Sequence, residues 1–314
     1  MYSYGDRLTM TEVRVTAVVV THQPDLPILG RVIDAILPQL THIVVVDNGS
    51  DANMAEWVKV LGQTNIHVIR LGANLGIAAA QNAGIQWARQ HGATFVLLMD
   101  QDSIPDKNMV SKLLTAYWRL TKEEGRKVSA IGPRFRDSNS GHLSQHVCFK
   151  QLGTGRANCR PNDYAVPTDF LIASGSLIEM DVLGAVGDMD EGLFIDHVDT
   201  EWILRARAKG YRAWGHCDAI MTHSLGEHRI RIWFLRWRDI PFHKPFRYYY
   251  VFRNSLVLQR RGYPCWAWRR VDAIRLVQFL FFMTIFHPDR FQVLRMMALG
   301  FVDGLKGVSG PLQK

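Results

Sequence analysis

The chain has 314 residues and a formal net charge of +8, with 47% hydrophobic and 21% charged residues. These values exclude wholesale disorder and leave material for one large or two modest domains. The charge is unevenly placed: residues 229–314 carry 16 Lys/Arg and 4 Asp/Glu, a net of +12, and residues 1–228 carry a net of −4. A basic quarter joined to an acidic body implies a polyanionic or membrane partner at one end.

The first 130 residues alternate strand and helix signals. Val13–Val20 is an apolar, β-branched run that reads as a buried strand, and Leu26–Leu40 has helical spacing. His42–Val46 is a second strand, stopped by Asp47-Asn48-Gly49-Ser50, a turn cluster. Ile66–Leu71 is a third, followed by Gly72–Gly76 and an Ala-rich helix to about His91. Phe95–Met99 is a fourth and runs into Asp100-Gln101-Asp102. The alternation predicts an α/β fold with a doubly wound, mostly parallel sheet, whose ligands bind beyond the carboxyl ends of the strands. Thr21, Asp47, Asn74, Asp100 and Asp102 fall on that rim.

Residues 133–168 are rich in Gly, Asn, Ser and Pro and read as a long loop or short irregular strands. Asp169–Glu179 reads as a strand with an Ala-Ser-Gly-Ser bend, where Gly175 allows either close approach by a ligand or a simple bulge. Thr200–Lys209 is a helix ended by Gly210, with Tyr211–Trp214 extended behind it. From Arg229 onward the pattern predicts basic, aromatic helices, which divides the chain into a body at 13–228 and a C-terminal region at 229–314. Cys148, Cys159, Cys217 and Cys265 have no framework spacing and suggest reduced thiols in a cytoplasm. The opening residues lack the apolar run of a signal peptide, and the sequence has no stretch of the ~18 apolar residues a spanning helix needs.

Two acidic groups carry the chemistry. In LLMDQDS, Asp100 and Asp102 at i and i+2 suit a hard cation whose shell is completed by substrate phosphates; a plain helix cap is the alternative. In FIDHVDTEW, three carboxylates precede or open a helix. The helix dipole alone accommodates acids there, but Asp199 and Glu201 are too close for capping to need both, which favours Asp199 as a general base. Asp47 suits a ribose or base edge, or an ordinary Asx-turn. Asn74-Leu75-Gly76 is a Gly-containing turn at a helix start without the P-loop pattern. His223 is a third metal ligand or a structural histidine.

In order along residues 13–260, VTHQPD, VVVDNGSD, NLGIAAAQNAG, LLMDQDS, ASGSLI, FIDHVDTEW, LRARAKGY and YYYVFRNSL resemble the inverting glycosyltransferase family 2, in its bacterial L-rhamnosyltransferase branch. The resemblance implies a GT-A fold, a dTDP-β-L-rhamnose donor, and single displacement onto an O-antigen, core or rhamnolipid-type acceptor. It implies that Thr21, Asp47 and Asn74 line the nucleoside pocket and that Asp100 lies near the ribose or metal. Asp102 and His223 would bind Mg²⁺ or Mn²⁺, Asp199 would be the base, and Arg253 with Asn254 would lie near donor or acceptor. The family's catalytic glutamate falls on Val198, so Asp196 or Glu201 would replace its charge.

Between Arg229 and Arg275, twelve Arg and Lys are interleaved with aromatic residues. Such a belt can bind single-stranded nucleic acid, seat helices in anionic lipid, or simply pack against the body. The apolar runs Val271–Phe286 and Phe291–Leu305 favour lipid over nucleic acid. The expectation is a peripheral protein on the cytoplasmic face of an inner membrane with a lipid-linked glycan or glycolipid acceptor.

Overall fold

The computed structural model describes residues 13–138, 141–150, 153–223, 229–234 and 236–313, without side chains for 223–241. It opens with β1 (Val15–Thr21), α1 (Leu26–Ile36), β2 (His42–Asp47), α2 (Met54–Leu61), β3 (Ile66–Arg70), α3 (Ile77–Gln90) and β4 (Phe95–Asp100). β1 pairs parallel with β2 and with β4, and β2 with β3, so the carboxyl ends of four strands share one rim. Successive residues of β1 point to opposite faces, which explains its unbroken apolar run. Val15, Ala17 and Val19 enter a core with Leu29, Met54 and Leu113, whereas Val18 and Val20 enter a second core with Ala78, Ile85 and Trp202. The sheet is doubly wound, as expected.

β5 (Ser103–Pro105), α4 (Met109–Trp118), β6 (Val128–Asp137), β7 (His146–Lys150), β8 (Gly153–Ala157), β9 (Ala165–Thr168), β10 (Leu177–Glu179), α5 (Met180–Val186), α6 (Val198–Ala208) and β11 (Arg212–His223) follow. The main sheet has the order β3-β2-β1-β4-β10-β6-β11-β5, with β9 on β11. β10, β5 and β9 run antiparallel to their neighbours.

Three expectations change. The Asp169–Glu179 strand shrinks to β10, because residues before it bend: Gly175 (φ +78°) lies against Pro133, so its close approach is to protein. Residues 229–241 form a hairpin, β12 (Arg229–Phe234) with β13 (Arg236–Pro241), and helices begin only at α7 (Pro245–Arg260). Arg229 and Arg231 alternate with Ile230 and Ile232, and Arg236 and Arg238 flank Trp237, a period of two that composition alone concealed. Cys159 and Cys217 are bonded as a disulfide, contrary to the expected thiols. Their 58-residue separation carries no spacing signal; pairing of β9 with β11 brings them together. As one reading of the basic belt has it, α7 and α8 (Trp266–Phe286) pack against the body, contributing Leu258 and Trp268 to the second core.

α7 also packs along α9 (Arg290–Lys306), sharing a smaller core of Tyr248, Phe252, Met283, Val293 and Met297. A Cβ at Gly300 would lie 2.2 Å from the carbonyl oxygen of Tyr249. Gly300→Ala must therefore push the helices apart, costing roughly 1–3 kcal/mol. Thermal denaturation should show a lower Tm for Gly300→Ala and an unmoved Tm for Phe301→Ala, an exposed neighbour.

Candidate active site

Three loops meet at the rim. The Asp47–Ser50 turn follows β2, and Asp47 Oδ1 accepts the Ser50 N–H three residues on at 2.9 Å, closing the turn. Asn48 ties this turn to the next: its side chain accepts the Leu75 N–H at 2.8 Å and donates to Asn74 Oδ1 at 3.1 Å. Gly49 (φ +80°) faces Ala73 and Asn74 so closely that a Cβ would sit 2.6 Å from a main-chain carbon. Gly76 (φ +92°) meets Phe194 in the same way, and Ile77 donates its N–H to the Phe194 carbonyl at 2.7 Å. The glycines are the places where neighbouring loops have no room for a side chain.

The third loop leads into α6. Phe194, Asp196 and His197 all have positive φ, at 64°, 61° and 64°. Three non-glycine residues in this region within four positions store local strain, which persists only where the surroundings enforce it. α7 supplies that enforcement. Asn254 donates from its amide to the carbonyls of Leu193, Ile195 and Asp196 at 2.8–3.0 Å. Arg253, fully buried over the rings of Tyr249 and Tyr250, donates to the carbonyls of Gly192, Leu193 and Gly310. His197 bonds Ser255 at 2.9 Å; burial, then the nearby Arg275 charge, push its imidazole down to about 4 and keep it neutral.

This frame presents Asp199 in the first turn of α6 to a cavity of about 320 Å³. Asp100, Asp196, Gln81, Arg247 and Arg275 share its wall. Asp199 Oδ1 accepts the Thr200 N–H at 2.6 Å, yet burial prevails and raises its carboxyl to about 6. Asp100 rises further, to about 7, through burial and then the charges of Asp102 and Asp199. Asp196 forms a bidentate pair with Arg247, at 2.7 and 3.3 Å.

The site residues expected from the sequence divide in two. Asp100 and Asp199 share the cavity, and Asp102 sits beside Asp100, whose proton affinity it raises. Asn74 is exposed at the rim. Thr21 and Asp47, by contrast, are enclosed, with Thr21 Oγ1 turned to the Val46 carbonyl. Arg253 directs its guanidinium to main-chain carbonyls, so its bonds go to the loop that precedes α6, where contact with a ligand was expected. Glu201 is buried in a pair with Arg205, at 2.8 and 3.0 Å, and does not border the cavity, which leaves Asp196 as the carboxylate beside Asp199. His223 ends β11, where its backbone pairs with Ser103; its side chain lies outside the described residues. Sequence reasoning missed Asn48, Gln81, Arg247 and Arg275. Arg247 and Arg275 were hidden in the basic belt, and only the turn of α7 and α8 toward the body distinguishes them.

Among the described residues no three His, Cys, Asp or Glu side chains gather as a metal cluster. Asp100 and Asp102 are nevertheless a hard-oxygen donor pair whose mutual repulsion a divalent cation would relieve, so the residues fit Mg²⁺ or Mn²⁺ completed by substrate oxygens.

Residues 16–162 match the model of glycosyl transferase family 2. The chain is 32% identical over 297 residues to the dTDP-rhamnosyl transferase RfbF of Shigella flexneri, covering 94% of this chain and 96% of that protein. The chain belongs to glycosyltransferase family 2. It is also 24% identical over 200 residues to the low-salt glycan biosynthesis hexosyltransferase Agl10 of Haloferax volcanii, covering 61% and 62% of the two chains. Among solved structures, residues 1–349 of TarS from S. aureus in complex with UDP-GlcNAc align with a TM-score of 0.57 at 15% identity, covering 93% of this chain and 81% of that one. GalNAc-T7 with UDP, GalNAc and Mn²⁺ gives the same TM-score at 13% identity, this chain spanning 58% of its length. These two likenesses establish the GT-A type of fold.

The raised Asp199 carboxyl has a measurable consequence. Its folded value of about 6 lies above the ordinary 3.8, so the fold favours the protonated form. The penalty is absent below about pH 4, grows as pH rises through 6, and stands in full above it. Asp199→Asn should stabilise the metal-free protein at pH 8, on the order of 1–3 kcal/mol, and should leave its stability at pH 4 little changed, as read by denaturant titration.

Proposed function

We propose that the chain is an inverting, metal-dependent rhamnosyltransferase that moves L-rhamnose from dTDP-β-L-rhamnose to a hydroxyl of a lipid-linked glycan or glycolipid. The observation that carries the reading is Asp199, held by a strained and clamped loop in a cavity shared with Asp100, in a chain one-third identical to a dTDP-rhamnosyl transferase over nearly its full length. An O-antigen or other cell-surface polysaccharide is the favoured acceptor, with a rhamnolipid precursor as the alternative.

In this mechanism Asp199 takes the proton of the acceptor hydroxyl as that oxygen bonds to the anomeric carbon and the bond to the diphosphate breaks on the opposite face. A carboxyl raised to about 6 is ionised near neutral pH yet more basic than an ordinary one, which suits a general base. Asp196 and Arg247 keep a fixed charge pair beside it. Asn74 borders the nucleoside, while Thr21 and Asp47 shape that pocket from behind and Arg253 keeps the catalytic loop in register. Asp102, with His223 and Asp100, would hold Mg²⁺ or Mn²⁺, which when bound offsets the charge on the departing diphosphate.

Asp199→Asn should lower transfer by more than about a hundredfold, while dTDP with Mn²⁺ still binds in calorimetry. Asp102→Ala should lose the Mn²⁺-dependent part of that binding. Full turnover by the Asn variant would remove Asp199 as the base.

The proposed seat is the anionic cytoplasmic face of an inner membrane. Among the described residues no helix is long and apolar enough to cross a membrane. Trp266, Val277 and Phe291 are nonetheless 70, 67 and 78% exposed on α8 and α9, with Arg270 over Trp266 and Arg290 over Phe291. Basic groups beside exposed aromatic rings suit an anionic lipid interface. In flotation with vesicles containing phosphatidylglycerol, Val277→Glu with Phe291→Glu should release the protein while wild type floats; equal flotation would refute this docking face.

A further inference from the structure

Gln81 stands out among the residues around the cavity. It lies on α3 in a stripe with Ala78, Ile85 and Ala88, all buried, and is the polar member of that stripe. It is 3% exposed, and its Oε1 is enclosed without a hydrogen-bond partner. On one side it borders the cavity of Asp100 and Asp199. On the other it borders a small, mostly apolar recess walled by Leu98, Leu171, Ile178 and Ile203, with Ser176 and Asp199 also in its lining, none of which bonds Gln81 Oε1. A buried amide left unpaired destabilises a fold, and an apolar residue of similar volume would serve the stripe better. Its polarity is explained if a hydrogen-bonding group enters the cavity and completes it.

We propose that Gln81 is a specificity-determining residue whose carboxamide hydrogen-bonds a hydroxyl of the sugar being transferred. Three placements favour the donor sugar over the acceptor. Gln81 follows the Asn74–Gly76 turn on the same helix, little more than one turn from its start. It shares its wall with Asp100, on the donor side of the site. The same wall carries Asp199, so a sugar bonded to Gln81 would present its anomeric carbon between the diphosphate and the base. The assignment rests on the reading of the chain as a sugar-nucleotide transferase, and goes beyond it by naming the contact that senses the sugar.

The test compares wild type with Gln81→Leu and Gln81→Met in the full chain with Mn²⁺, measuring Tm, calorimetric affinity for dTDP and for dTDP-L-rhamnose, and donor hydrolysis without acceptor. The methionine variant keeps the side-chain length should leucine fold poorly. Removing a buried amide whose oxygen has no partner should raise the ligand-free Tm by about 2 °C or more. Affinity for dTDP should stay at the wild-type value, affinity for dTDP-L-rhamnose should fall about fivefold, and hydrolysis should fall with it. A residue with a merely structural role would lower Tm and leave the ratio of the two affinities unchanged, and that result overturns the proposal. So does an equal loss of both affinities. Running UDP-glucose and UDP-GlcNAc in parallel separates a wrong donor from a wrong residue. A wild-type preference for either, lost in Gln81→Leu, would overturn the rhamnose reading and keep the assignment of Gln81. A sugar preference untouched by the substitution would overturn the assignment itself.

Discussion

The site depends on the grip of α7 on the Leu193–His197 loop. Left to itself, a segment with three non-glycine residues at positive φ would relax toward ordinary backbone angles. Asn254 and Arg253 prevent this by giving the carbonyls of Gly192, Leu193, Ile195 and Asp196 buried donors. These bonds are buried or part-buried, so losing them would leave carbonyls or a guanidinium largely unsatisfied away from water, a cost that offsets the strain. Everything that follows the loop, the direction of α6 and the depth of Asp199 above all, inherits its precision from that exchange.

The electrostatics of the cavity follow from the same packing. Asp100 arrives on β4 and Asp199 on α6, two elements far apart in sequence; burial raises both carboxyls, and the charges of Asp102 and Asp199 add to the rise at Asp100. The basic region answers with Arg247 and Arg275, carried in by α7 and α8. The +12 region is thus divided. Some arginines complete the acidic body, whereas those near the exposed face of α8 and α9 stay with Trp266 and Phe291.

Much of this was legible in the sequence. The four parallel strands could be read because their residues are buried on both faces and therefore apolar without interruption, and the rim followed from their ends. Asp100 and Asp199 could be read because carboxylates directly after such a strand or at a helix start stand out by type and spacing. What escaped was whatever depends on distant contacts. The ligation of Cys159 to Cys217 leaves no local trace, and neither does the division of arginines into inward and outward sets. Arg253 was noticed but assigned to a ligand, since a motif records that a residue matters and not which atoms it touches. The 229–241 hairpin was lost for a different reason: an aromatic and basic composition overrode its period of two.

The clamp also reaches forward in the chain. Gly310 accepts from Arg253 and donates its N–H to the Gly192 carbonyl at 2.7 Å, and the Leu312 N–H rests on the Tyr250 hydroxyl at the same distance. A nascent chain therefore carries Asp199 for about a hundred residues of synthesis before the segment that seals its loop exists. The sheet and its rim can assemble early, but the full set of bonds around the Leu193–His197 loop exists only once residue 310 has been made.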